Sequence, residues 1–457
     1  MDISIVLQDF VKNIEKILKT SESLEELVQN TREITDQLGL DALSTYLEWL
    51  DEDIKENTER KKNWTVERFN DRNGILTEMG MLYYNRRYYK SKTGNGYSYL
   101  VDECMGISSH QRIDVGLKDK FVKTATDISY EKTTKSVGRE KVSRQTVKKA
   151  IHDFEPELIK HVILPDKPEG KKKIPYLYID ADEDHLSVLN KERAEQKLVY
   201  VYEGKSYNDR EDKMELVNPY YITGISGIVL FREAYEYIKN NYDFNAIKRI
   251  YIQGDGANWI KGGTNIIPCS RYVLDKYHMM KQTKKCVGAD EKLRARLWDA
   301  LMDAEMDELD VVMNEVLDEA DEEEKKKGII KNFKYFYDRF EGIEVYADPN
   351  ERPVGCSAEG HVSHILSHRL SSRPLTWSER GSDNMAKLRV CIKNGGNVTE
   401  IRKNQSYVRD IEKRKIIRNR FMTDGCGVMY DVYGNIEVLK TGHRTGLYKV
   451  LRKLRGA

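Results

Sequence analysis

The chain has 457 residues, with 76 Lys and Arg against 75 Asp and Glu and 39% hydrophobic side chains. That length allows two to four domains, and the composition excludes a collagen, a low-complexity tail and a membrane protein. The net charge of +1 hides segregation: residues 1–60 sum to −9, 61–150 to +9, 288–327 to −9 and 361–457 to +12. Two basic blocks between acidic ones suit a protein that grips a polyanion with part of its surface.

Residues 1–60 read as an N-terminal helical region. Ile5, Leu7, Phe10, Ile14, Ile17 and Leu18 recur at helical spacing, and Ser21 or Ser23 is placed to cap a second helix. The opening MDISIVLQDFVKNIEKILK has no basic start and carries charges throughout, so no signal peptide is expected. The six cysteines form no C-x-x-C pair, which points to a reducing, cytoplasmic location.

Residues 61–163 form the next block. Its Tyr- and Gly-rich stretch 70–102 predicts a small antiparallel β unit, with TGNG as a hairpin turn. There Arg86 and Arg87 sit among Tyr83, Tyr84, Tyr88 and Tyr89, an interleaving that suits nucleic acid or an ordinary Tyr-rich strand. Residues 117–155 predict a helix, a turn around Gly138 and a second helix capped by Ser143, which is helix-turn-helix spacing. The second helix offers Arg144, Gln145, Lys148 and Lys149, side chains that reach base edges and phosphates. LPDKPEGKKK, residues 164–173, reads as a linker.

From 174 to 255 strands and helices alternate, so the core is α/β. IPYLYIDAD and HLSVLN are expected as strands flanking an acidic turn, and AIKRIYIQGDGANWIKGG as a buried strand ending in a loop. YLYIDADED puts Asp180, Asp182 and Asp184 on one side of a strand, because strand side chains alternate. Acids beside an apolar β run are costly unless solvated, paired or metal-bound. An EF-hand is rejected, since His185 and Lys191 stand where Gly and Glu belong. Asp255 ends a second such strand between Gly254 and Gly256, which leave room for a ligand. Residues 276–340 are helical and acidic. In CSAEGHVSHILSHRLSSRPLTWSERGSDNMAKLR, Glu359 opens a helix, followed by His361, His364 and His368 and by Arg369, Arg373 and Arg380. With no Cys at finger spacing and no H-E-x-x-H, hard oxygen donors for magnesium or manganese are favoured over zinc.

The ordered motifs YLYIDAD, IQGDGANWI, LDKYHMMK and SAEGHVSHILSHRLSSRPLTWSERGSDNMAKLR resemble the DDE transposases of the ISLre insertion-sequence family, Mutator-like relatives with a ribonuclease-H-like core. The resemblance covers most of the chain. It implies a catalytic core over 174–400 with a helical insertion at 280–345, and a basic C-terminal region over 401–457. It implies that Asp182, Asp255 and Glu359 are catalytic and hold Mg2+ or Mn2+, as two ions, with Asp180 and Asp184 competing for the first position. Asp275, Tyr277 and His278 match its D-x-Y-H block as supporting residues, and Arg369 and Trp377 fall within its most distinctive stretch. Trp259 and Trp377 either stack on flipped bases or pack. The implied activity is cleavage at terminal inverted repeats and strand transfer to target DNA, by a homo-oligomer associated with the nucleoid. Arg86, Arg87, Arg144, Gln145, Lys148 and Lys149 would grip one duplex, and Lys413, Arg414 and Lys415 another. The alternatives are a nuclease or resolvase on the same core and an inactive DNA-binding protein.

Overall fold

The computed structural model describes residues 4–137, 142–153, 170–189, 191–373 and 375–400. Two compact units account for them, one reaching Ala150 and one spanning Ile151–Ile401.

In the first unit, Ser23 accepts a hydrogen bond from Glu26 N (3.1 Å) and starts a 33-residue helix, Leu24–Glu56. Leu47, Leu50 and Ile54 of that helix pack on a three-stranded antiparallel sheet of β1 (Trp64–Leu76), β2 (Met81–Ser91) and β3 (Tyr97–Ser98). The first strand begins at Trp64, ahead of the expected β unit, and turns into β2 through Thr77–Gly80, where Gly80 has φ +136°. TGNG forms the second turn, between β2 and β3. The expected pair of helices over 117–155 is three: Val115–Ala125, Tyr130–Ser136 and Arg144–His152. Ser143 accepts from Thr146 N (3.2 Å) at the start of the last, while Gly138 lies outside the described residues.

The second unit is built on a five-stranded mixed sheet. Its order is β10 (Ser270–Leu274), β9 (Arg249–Gly254), β4 (Tyr176–Val188), β5 (Lys191–Tyr202) and β8 (Tyr220–Gly224). β10, β9 and β4 are mutually parallel; β4, β5 and β8 are antiparallel. A small hairpin of β6 (Lys205–Asn208) and β7 (Lys213–Leu216) interrupts the run from β5 to β8. One sheet face carries Leu177, Ile179, Ala181, Ile250, Ile252 and Leu274 into a core closed by the helix Gly227–Asn241. The acidic stretch forms four helices, Lys276–Val287, Glu291–Met302, Met306–Asp318 and Glu323–Tyr337. Phe333 and Phe336 of the fourth are fully buried in the same core.

The predicted acidic turn is absent: β4 runs unbroken from Tyr176 to Val188. β5 pairs with it along nearly its whole length, from Tyr178 opposite Tyr202 to Val188 opposite Lys191, so Asp182 and Asp184 are mid-strand residues held by the ladder. No helix among the described residues is long and apolar enough to cross a membrane.

Candidate active site

The site lies on the sheet face opposite the core. Alternation sends Leu177, Ile179 and Ala181 into the apolar layer and Asp180, Asp182 and Asp184 to the other side. In the parallel ladder Asp180 is level with Gln253, and Gly254 with Leu274. Carried on by the same offsets, Asp182 in the middle of β4 stands level with Asp255 and Asp275, which directly follow the ends of β9 and β10. Neighbouring strands are roughly 4.8 Å apart. Asp275 N donates to Gly254 O (2.9 Å), so the pairing continues past the strand ends.

The three acids of β4 have different environments. Asp180 is fully buried and accepts five hydrogen bonds: Tyr200 OH (2.8 Å), Tyr202 OH (2.9 Å), Gln253 Nε2 (2.7 Å), Ser357 N (2.8 Å) and Ser357 Oγ (3.2 Å). Its lone pairs are occupied by protein donors, so it braces the sheet. Asp184 is buried and accepts from Ser371 Oγ (2.8 Å), and burial pushes its pKa up. Asp182 has one short local contact, from Glu183 N (2.8 Å). Burial first, then the charges of Asp255 and Glu183, push its pKa up to about 7, against the pull of that N–H and of His278. The charge of Asp255 thus reaches Asp182.

Asp255 turns on itself, accepting from Ala257 N (2.9 Å), and Tyr335 OH anchors its carbonyl (2.8 Å). Gly256 holds φ +94°, and a Cβ there would fall 2.2 Å from Arg339 Nε, so this turn excludes a side chain. Asp275 caps the next helix through Tyr277 N (3.2 Å) and shares a 2.9 Å hydrogen bond with His278 Nδ1. That bond raises the His278 pKa against burial, and the charges of Asp275, Asp255 and Asp182 add to it. The imidazole of His278 is therefore easier to protonate than a free one.

Glu359 is exposed in the first turn of the helix Ala358–Val362. Ser357, bonded to Asp180, directly precedes that helix. Among the described residues, no three His, Cys, Asp or Glu side chains are grouped so as to hold a metal ion. The expected three-acid ligand set is thus not assembled here. Asp182 and Asp255 do fit a hard dication: their oxygens suit magnesium or manganese, and a cation would relieve the cost of ionising Asp182 beside Asp255.

The other predicted residues are placed as follows. Trp377 is buried, donates from Nε1 to Leu370 O (2.9 Å) and bridges Val188, while Arg369 lies over its ring at 4.9 Å. Trp259 packs against the core and donates to Glu183 Oε2 (2.5 Å). Arg144, Gln145, Lys148 and Lys149 are all exposed, while Val147, Ala150 and Ile151 of the same helix are buried. Arg86 and Arg87 are internal. Arg87 pairs with Asp51 (2.8 Å) and Glu52, and Arg86 pairs with Asp102 and lies 3.6 Å over the Tyr99 ring. A phosphate would have to compete with these carboxylates. Lys413, Arg414 and Lys415 lie outside the described residues.

Sequence reasoning missed Ser357 and the tyrosines around Asp180. A signal existed, since Tyr200 and Tyr202 alternate in phase in KLVYVYEG, but nothing local says which strand they face.

A family model described as "Uncharacterised protein family (UPF0236)" matches residues 17–406. The chain belongs to this family. It is 38% identical over 459 residues to UPF0236 protein TTE2489 of Caldanaerobacter subterraneus subsp. tengcongensis, covering 98% of this chain and 96% of the relative. A second relative from that organism is 37% identical at the same coverage, and its one name carries eleven locus designations. A relative from Streptococcus gallolyticus, UPF0236 protein in vanSb 3'region, is 24% identical over 401 residues, 84% of this chain and 86% of its own length.

Proposed function

We propose that the protein is a DNA transposase of the DDE type, cutting the ends of its own element and joining them to target DNA. The observation that carries this reading is the row of Asp182, in the middle of β4, with Asp255 and Asp275, which directly follow the ends of β9 and β10. The sheet order β10-β9-β4-β5-β8, with a parallel and an antiparallel half sharing β4, supports reading this unit as a ribonuclease-H-like core. Family membership supports the same reading, since one protein name spread over eleven loci is what an element copied within a genome leaves behind.

Asp182 and Asp255 would hold the dication, with Glu359 as the third acid the reading requires. A bound Mg2+ or Mn2+ supplies an activated water or 3′-hydroxyl and stabilises the leaving oxygen. The chain's own groups prepare the site. The N–H groups of Glu183 and Ala257 orient the two carboxylates, and Asp180 keeps β4, β9 and the 357 segment together. His278, whose pKa Asp275 raises, would offer a ring N–H to a phosphodiester oxygen. The exposed face of Arg144, Gln145, Lys148 and Lys149 serves duplex binding, as the reading half of a helix-turn-helix.

The test is cleavage of duplexes carrying the gene's own flanking sequences, with Mg2+ present. Asp182→Asn, Asp255→Asn and Glu359→Gln are each expected to abolish strand cleavage while duplex binding persists. Cleavage retained in Asp255→Asn rejects the site. Cleavage without strand transfer moves the reading to a nuclease or resolvase.

A further inference from the structure

A polar cavity lies in the unit that carries Asp180. It measures about 510 Å3 and is bounded by the β6–β7 hairpin, Tyr221, Ser357 and His361, with Lys393 at its rim. Ser357 belongs to both places: it lines this cavity, and its N and Oγ bond Asp180.

The charge inside is positive. Lys205, Lys213 and Lys393 line the cavity against one acid, Glu215. Lys213 is paired with Glu215 and Glu211. Lys205 and Lys393 form no ion pair among the described residues, although Lys205 donates to Gly355 O. Their convergence registers on His361, whose pKa falls to about 4 through burial and then through Lys393, Lys205 and His364. A neutral His361 shares a 3.1 Å hydrogen bond with Tyr221 OH and lies 4.7 Å from the Tyr200 ring. Two ammonium groups without counterions, beside an aromatic and apolar wall, match an anion that carries a ring.

We propose that this cavity binds one nucleotide of a DNA strand, its phosphate on Lys205 and Lys393 and its base against Tyr221 and Met214. The assignment deepens the functional reading and rests on it in one respect: the strand would be the one whose scissile phosphate reaches Asp182 and Asp255. Bridging through Ser357 makes the cavity a subsite that holds the strand beside the carboxylate row.

The experiment uses the full-length protein and a single-stranded oligonucleotide carrying 5-iododeoxyuridine, photo-crosslinked and mapped by mass spectrometry. Wild type is expected to crosslink in the peptides holding Tyr221 or Met214. Lys205→Ala/Lys393→Ala should lose that crosslink and flatten the log-log salt dependence of binding by roughly 0.7, the value for one phosphate of a single strand. Lys205→Arg/Lys393→Arg should restore both, which separates lost charge from lost folding. Crosslinks that avoid these peptides in wild type, or that survive the alanine pair, overturn the proposal. Competition by inorganic phosphate or a nucleoside monophosphate as effective as the oligonucleotide would show a small-molecule site and overturn it too. Asp182→Asn/Asp255→Asn should keep the crosslink. If wild type crosslinks as expected but never cleaves DNA, the transposase reading fails and this site stands. Cleavage without the crosslink gives the reverse.

Discussion

Arg87 in the first unit and Asp182 in the second are both charged residues on β-strands, and their surroundings treat them in opposite ways. Arg87 meets Asp51 and Glu52, brought by the long helix Leu24–Glu56, so the acidic first block cancels part of the basic one. Asp182 meets Asp255 and Glu183, charges of its own sign, and only His278 answers them. The first arrangement is a finished structure. The second leaves a charge deficit that a cation or a changed protonation state can fill, which is how functional sites differ electrostatically from structural ones. Asp180 sharpens the contrast from two residues away, since its five donors make it the structural acid of the same strand.

The comparison can be broken by mutation, and the largest effect belongs to Asp180. Asp180→Ala would strand two tyrosine hydroxyls, Gln253 and Ser357 without their acceptor, and should cost about 4 kcal/mol in denaturant unfolding. A loss below 1 kcal/mol would mean that this hub does not hold the sheet. Next is Arg87→Ala, which leaves Asp51 buried and unpaired; about 3 kcal/mol should be lost from the first unit.

Asp182→Asn should act in the opposite direction. Its folded pKa, near 7, lies above the unfolded value of about 3.9, so the native state binds more protons between those limits. The carboxyl group then contributes stability at low pH that is lost as pH rises towards 7. The amide should therefore raise stability by about 2 kcal/mol at pH 8 and by little at pH 4, read from melting curves across pH. Mg2+ should raise the melting temperature of wild type more than that of the variant. Equal gains at both pH values would remove the electrostatic argument.

The smallest effect on stability is expected at Lys148→Ala/Lys149→Ala, within about 0.5 kcal/mol, because both side chains are exposed. The same pair should weaken duplex binding and flatten its salt dependence by roughly 1.8, two phosphates at about 0.9 each. An unchanged slope would take this face out of the DNA reading.

The sequence by itself determined what neighbours along the chain decide. Alternation in YLYIDADED put three acids on one side of a strand, an apolar run before Asp255 marked a strand ending there, Ser143 was placed to cap its helix, and Ser23 was one of two serines offered as the cap of the long helix. Local spacing misplaced a turn in the middle of β4, because the ladder with β5 is a long-range contact that overrides a run of acids. Only the tertiary structure gave Asp180, Asp182 and Asp184 different surroundings, since the donors that occupy Asp180 come from residues 20 to 177 positions away. It also turned Arg86 and Arg87 inward and left Glu359 in solvent. The physical reason is common to all of these. Backbone propensity and periodicity act over a few residues, whereas the free energy of a charge depends on whichever groups the folded chain brings within a few ångströms of it.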